Sequence, residues 1–493
     1  MPRNETPMSR RSFLGSLAAG AAALGLSRYA SLAAEATQAT TAAAGRAGGH
    51  APLNVLFVVS DDLNDWVGAF GGHPQTQTPN IDRLCSRGVS FQRAYTCSPL
   101  CNPTRAALMT GKMPASTGVY DNRQPFRQAQ AVKDAVTLPQ YLMQHGYYSA
   151  GAGKIYHGKF PDRASWNDYA WPRGAMPKDE DIVTVSKLKW GPIDAPDDQT
   201  PDGRIVDYCI QQLGRKHDKP FFLACGIQKP HLPWFAPRKY FEKFPPDKII
   251  LPKVKDDDLD DVPPIGRKWA APGAHKTIKA AGKWPDAVAA YLATINYVDA
   301  QVGRLLDALD ASPYAGNTII VFWGDHGWHL GEKLRWGKST LWEEADRAPL
   351  AIVAPGIAAG GRCMRTVSFG DIYPTLVDLC GLPAKADLEG VSLRPLLADP
   401  AAPWDRPART DFRFGNSSVR SERWRYIRYV DGTEELYDHD ADEMEWTNLA
   451  GDPKYADVKT DLARWLPKTH TPDSPHQFFP GDKEADQGAV DGE

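Results

Sequence analysis

The sequence predicts an α/β fold built on a parallel sheet, and three observations carry that expectation. Asn54 to Val59 and Thr318 to Trp323 are continuous apolar runs rich in β-branched and aromatic residues, the pattern of strands covered on both faces. Between them, Val288, Tyr291, Leu292, Ile295, Val298, Val302, Leu305, Leu306 and Leu309 recur at helical spacing within Asp286 to Asp310. Both strand-like runs end in acidic residues, Ser60-Asp61-Asp62 and Gly324-Asp325-His326. Ligands of parallel α/β sheets collect at such carboxyl ends, and paired carboxylates there suit Ca²⁺ or Mg²⁺, although they also serve as simple turn caps.

The chain has 493 residues, 42% apolar and 24% charged, with a net charge of -3. That composition describes a globular protein with more than one structural unit, and its unclustered basic residues exclude a nucleic-acid partner. The amino terminus stands apart. Ser9-Arg10-Arg11-Ser12-Phe13-Leu14 is a twin-arginine pattern followed by an alanine-rich apolar run to Leu26. Residues 1–34 therefore read as a signal for the twin-arginine translocase, with a periplasmic or secreted destination and no stable membrane anchor. Residues 35–52 read as a flexible linker. Seven cysteines at wide spacings give neither a disulfide framework nor a zinc pattern.

Taken in order, Thr78-Pro79-Asn80-Ile81-Asp82 starts a helix that Gly88 closes before the strand-like Val89 to Phe91. Pro103 and the helix formers Ala106 to Met109 follow Cys101, placing that cysteine ahead of a first helical turn. Such a position suits an anion or a lowered-pKa thiolate, or simply a small buried cysteine. Thr137 to Gly146 reads as a helix and Tyr147 to Ala152 as a strand that delivers Gly153-Lys154-Ile155-Tyr156-His157. Phe160 to Thr200 shows no sustained period and reads as a long surface excursion. Arg204 to Gly214 is helical in pattern, and Pro220 to Gly226 is another apolar strand ending in Lys229-Pro230-His231-Leu232-Pro233-Trp234. Asp256 to Asp261 reads as a solvated acidic loop. Asp371 to Leu379 reads as a closing helix. Ala398 to Pro407 is a linker by composition, and 398–493 is expected to hold a small antiparallel sheet, a helix near Tyr455 to Leu466 and a polar tail.

The stretch Cys101-Asn102-Pro103-Thr104-Arg105, a C-x-P-x-R pattern, resembles the signature of type I sulfatases, in which the cysteine is oxidised to formylglycine. T-P-N-I-D-x-L at Thr78, G-K-x-x-H at Gly153 and Lys338 in Trp336-Gly337-Lys338 fit the same family. K-P-H-x-P at Lys229 and His326 after Asp325 are similar to its iduronate-2-sulfatase-like branch. The resemblance implies an alkaline-phosphatase-like α/β/α sandwich over 53–397 with a smaller C-terminal α+β subdomain. It implies one divalent cation, Ca²⁺ in preference to Mg²⁺, held by Asp61, Asp62, Asp325, His326 and the modified Cys101.

By the same resemblance, a hydroxyl of the hydrated aldehyde attacks the sulfur of a sulfate ester, and Arg105, Lys154 and Lys338 stabilise the sulfuryl oxygens. His231 protonates the leaving alcohol, His157 is the base that expels sulfate, and Lys229 sits by the sulfate or a sugar acid. The implied substrate is a sulfated carbohydrate, with a 2-O-sulfated uronate at a chain end as one form, and the implied maturation partner is a formylglycine-generating enzyme. Two alternatives stay open at this stage: a phosphodiester or phosphonate monoester hydrolase of the same superfamily, and an inactive glycan-binding homologue.

Overall fold

The computed structural model describes residues 52–158 and 160–477. The signal at 1–34 and nearly all of the linker at 35–52 lie outside the described residues. The centre is one eight-stranded sheet. Its strands are β1 (Asn54–Asp61), β2 (Val89–Tyr95), β3 (Tyr148–Gly153), β4 (Asp168–Ala170), β5 (Phe221–Pro230), β6 (Thr318–Gly324), β7 (Leu350–Val353) and β8 (Gly361–Ser368). They lie in the order β8-β2-β7-β6-β1-β5-β3-β4. Both pairings of β7 are antiparallel and every other pairing is parallel, so seven strands present their carboxyl ends at one edge.

Alternation along β1 shows why the sheet is covered on both sides. Leu56 and Val58 enter one core with α3 (Pro201–Leu213) and α4 (Trp284–Asp310), after α1 (Pro79–Ser86). Val55, Phe57 and Val59 enter the opposite core with α2 (Cys101–Thr110) and α5 (Ile372–Leu379). A strand buried on both faces needs no polar alternation, which is why these runs read as continuous apolar sequence. The result is the expected α/β/α sandwich.

The C-terminal strands Ala408–Asp411, Ser417–Arg420, Trp424–Arg428 and Glu434–Asp438 form a four-stranded antiparallel sheet in sequence order. Val419, Tyr426 and Leu436 pack with Leu462 of the helix Ala456–Ala463. Ile427 and Tyr437 on the other face pack with Leu341 and Trp342.

Three expectations change, and the polar tail, whose order was expected to depend on docking, is docked. The excursion from 160 to 200 supplies the edge strand β4 and the strands Val183–Val185 and Leu188–Ile193, the last paired with Trp234–Pro237. Its strands are too short to show a period. The acidic loop at 256–261 is not wholly solvated, because Asp258 is buried against Lys333 at 2.7 Å. The stretch from 398 to 407 is pinned, with Trp404 Nε1 donating to Thr366 O at 2.9 Å. The polar tail docks through backbone bonds from Thr471 to Ala115 O and from Ser474 to Gly118 O, both 2.8 Å.

Candidate active site

The carboxyl edge of the sheet gathers the expected residues around Cys101, the first residue of α2. Lys338 Nζ lies 3.0 Å, His326 Nε2 3.3 Å, Lys154 Nζ 3.6 Å and Asp62 Oδ1 4.0 Å from its sulfur. His157 adds a side-chain hydrogen bond to it. Burial alone would raise the thiol pKa, but Lys154, Lys338 and His326 outweigh it and hold the group well below the usual thiol range. A side chain at a helix amino terminus among two ammoniums and two imidazoles is a seat for negative charge.

Each element delivers its part for a local reason. The register of β1 against β5 shifts between Ser60 and Asp61, and Asp62 takes a left-handed conformation with φ 62°. Aspartate tolerates that region, and here Tyr291 of α4 fixes it by donating to Asp62 O at 2.7 Å. Asp62 Oδ1 then accepts from Lys338 at 2.7 Å. Thr96 Oγ1 is within 2.7 Å of both Thr104 Oγ1 on α2 and Asp325 O, which joins the helix to the end of β6.

Arg105 joins the group through two aspartates and two carbonyls. Its side chain is fully buried beneath the thiol, with Nη2 on Asp61 Oδ1 at 3.1 Å and Nε on Asp325 Oδ2 at 2.9 Å. Nη1 donates to the carbonyls of Lys154 and Ile155. The guanidinium therefore holds the ends of β1, β3 and β6 together. These bonds commit it to organising the aspartates.

Asp61, Asp62, Cys101 and His326 bring four ligand atoms within 4.8 Å of one another. Asp62 Oδ2 is buried with no hydrogen-bond partner. An orphaned carboxylate oxygen beside a second carboxylate fits a hard divalent cation, with His326 as a softer neighbour. Asp325 adjoins this group. Its Oδ1 accepts from the amides of Asp62 and His326, while Oδ2, bound once by Arg105, lies 3.6 Å from His326 Nε2. One lone pair of Oδ2 remains for a metal. Burial works against the charge on His326, yet Asp325 and the Cys101 sulfur together outweigh it and the imidazole is pushed up to about 9.

Two residues of the β5 loop border the site from outside. His231 Nε2 lies 3.8 Å from Asp62 Oδ2 and its side chain is 36% exposed. Lys229 points its amine back into its own loop, donating to His231 O at 2.8 Å and Pro233 O at 2.7 Å. Asp202 on α3 accepts the amides of Gln228 and Lys229 and completes the clamp.

A cavity of about 340 Å³ opens beside Lys154, His157 and His231 and runs under Trp171 and Met176 to Phe235. Sequence reasoning missed Tyr291, Asp202 and Trp171. Tyr291 sits within an apolar helical stripe and gives no separate signal. The Thr200-Pro201-Asp202 helix start could have flagged Asp202 as a cap residue.

Comparison with known proteins gives one answer. Residues 53–382 match the model of the family described as Sulfatase, and residues 324–471 match that described as N-sulphoglucosamine sulphohydrolase, C-terminal. A sulfatase of Formosa agariphila is 38% identical, with 85% of this chain and 87% of the relative covered. Human iduronate 2-sulfatase is 30% identical over 67% of this chain and 69% of its own length. Among solved structures, a phosphonate monoester hydrolase of Agrobacterium radiobacter superposes with a TM-score of 0.70 at 23% identity, covering 84% of this chain and 94% of its own.

Proposed function

The chain belongs to the sulfatase family, and from that membership we propose an exported enzyme that removes sulfate from a carbohydrate, acting on one ring at a chain end. The observation that carries the reading is the convergence on Cys101 of two ammoniums at 3.0 and 3.6 Å and an imidazole at 3.3 Å. A buried cation pair held by carboxylates has a purpose once an anion enters between them.

The family generally uses a metal ion and a formylglycine. Cys101 would carry the formylglycine made by a maturation enzyme, a group that would supply, as its hydrate, a hydroxyl nucleophile for sulfur. Asp61, Asp62 and His326, with Asp325 beside them, would hold a divalent cation, which would offset charge on the sulfuryl oxygens. The chain's own residues do the rest. Lys154 and Lys338 bind and orient the sulfate, whose charge grows on the oxygens they face. Arg105 keeps Asp61 and Asp325 in register, so the lysines have fixed counter-charges. His157 exchanges a proton at the Cys101 side chain. His231, at the cavity rim with Nε2 toward the site, gives a proton to the departing sugar oxygen. Arg10-Arg11 and the apolar run behind them support export through the twin-arginine pathway to the periplasm or beyond. No described helix is long and apolar enough to cross a membrane.

The experiment is sulfate release from a panel of sulfated oligosaccharides, after peptide mass spectrometry has located an aldehyde at Cys101. Release by the aldehyde-bearing protein, at a rate well above that on an aryl phosphodiester, is the expected result. Faster turnover of the phosphodiester would replace the sulfatase reading by the phosphodiesterase one.

A further inference from the structure

The cavity beside the catalytic centre carries information about the ring that bears the sulfate. Strand β4 is parallel to β3, with Ala150 to Ala152 opposite Asp168 to Ala170. Its carboxyl end therefore reaches the same edge as Asp61 and Lys154, and the next residue is Trp171. That indole is 40% exposed, as is uncommon for so large an apolar group, and lines the cavity with Met176, Ile193, Leu232 and Phe235. It reaches the residue after His157: a methyl group at Gly158 would meet Trp171 Cη2 at 3.3 Å. An aromatic face thus begins one residue away from a group assigned to the reaction.

The charged groups that line the cavity are all accounted for. Asp61 is bound by Arg105 and Lys154, and Lys154 faces the thiol. His157 contacts Cys101, and His231 approaches Asp62. Asp202 accepts two backbone amides. Among the described residues that line the cavity, Lys229 is the one lysine or arginine besides Lys154, and its amine is bonded to two carbonyls. Only one of its three N–H donors is left for a carboxylate on the substrate, and burial disfavours the charge on that amine. The remaining wall is largely apolar, and its volume of about 340 Å³ suits one sugar ring with its sulfate.

Resting on the sulfatase reading, we infer that the substrate ring is a pyranose with no charge other than its sulfate, seated with one face on Trp171. Sugar rings present C–H groups on their faces, which pack on indole, while their rim hydroxyls stay free for Gln228 at the cavity wall. This reading departs from the sulfated uronate that the motif at Lys229 implied.

The test uses two series of methyl glycosides, one of glucoside and galactoside monosulfates and one of the corresponding uronides, with the aldehyde-bearing enzyme. The best neutral monosulfate is expected to exceed the best uronide at least tenfold in kcat/KM. Trp171→Ala is expected to lower kcat/KM on the neutral sugar about tenfold through KM, with Trp171→Phe restoring most of it. A uronide preference, or an unchanged KM in Trp171→Ala, overturns the inference and leaves the sulfatase reading standing. No turnover of any sugar sulfate by protein with confirmed aldehyde overturns both.

Discussion

Two arginine-centred charge clusters lie buried among the described residues, and they differ in what surrounds the arginine. Under Cys101, the fully buried Arg105 joins Asp61 and Asp325, with His326 alongside. Between the large domain and the C-terminal sheet, the equally buried Arg425 joins Glu343 at 2.5 Å, Asp346 at 2.7 Å and Glu445 at 2.5 Å, with His439 on Glu445 at 2.9 Å. Both sets include a trio that could ligate a metal. The difference lies in what remains after the arginine has been satisfied. At Arg425 the cation stands in the middle of its carboxylates. At Arg105 it stands below them, and above it are two lysines, a thiol and an orphaned carboxylate oxygen beside a cavity. Charge and burial are common to both; unequal partners and an opening mark the functional one.

The sharpest way to separate the clusters is to remove the central group of each. Cys101→Ala is expected to lower sulfate release by at least about 10⁴-fold, roughly 5.5 kcal/mol of barrier, with urea unfolding little changed. Retained activity in that variant would end the formylglycine scheme. Arg425→Leu should do the reverse. It leaves three carboxylates without their shared cation and is expected to cost about 3–5 kcal/mol of stability, while turnover per folded molecule stays at the wild-type level. A variant of Arg425 that folds normally but turns over slowly would show that the second cluster is coupled to the chemistry.

The site was more legible in the sequence than its supports. Asp61, Asp325 and Lys154 were readable because each follows a continuous apolar strand, and such strands end at a common edge. Arg105 was readable as a site residue, but its bonds to Asp61 and Asp325 were not, since sequence spacing does not say which carboxylates a guanidinium meets. Tyr291 was hidden in the stripe of α4, where an aromatic that packs and one that also donates to Asp62 O look the same. Trp171 was hidden for the opposite reason: β4 has three residues, too few for any periodicity, and only its pairing with β3 puts the indole at the site. In the C-terminal part, alternating strands and Gly432 in its turn, at φ 85°, gave the sheet directly, but nothing local marked Arg425 as its link to the large domain.

A metal ion sharpens the contrast further, because both clusters hold an orphaned carboxylate oxygen, Asp62 Oδ2 and Asp346 Oδ1, but only that of Asp62 stands with Cys101 and a second aspartate at the edge of the cavity. Adding Ca²⁺ or Mg²⁺ to stripped protein is expected to raise thermal stability, by about 2.7 kcal/mol at a hundredfold excess over Kd. Asp62→Asn should lose that response, and Glu445→Gln should keep it. If both variants respond alike, the cation binds elsewhere.

The smallest expected effect concerns His329, which lies three residues from His326 and within the field of Glu445, between the two clusters. The two histidines shift in opposite directions. Burial dominates at His329, Arg335 and Lys333 add to it, and Glu445 compensates only in part, so the imidazole is pushed down to about 3. It stays neutral in the fold, with Nε2 at 2.9 Å from Thr340 Oγ1. The unfolded chain takes up a proton near pH 6.5 and the folded chain does not, so stability is present above that pH and is lost as pH falls toward 3. Between pH 6.5 and 5.0 the loss is about 2 kcal/mol. His329→Gln keeps a polar partner for Thr340 and has no proton to gain. Urea unfolding at pH 7.5 and 5.0 should therefore show wild type losing about 2 kcal/mol more than the variant across that interval. Equal losses would mean that His329 is charged in the fold, and that the field of the Arg425 cluster, through Glu445, reaches further toward the active site than its own salt bridges suggest.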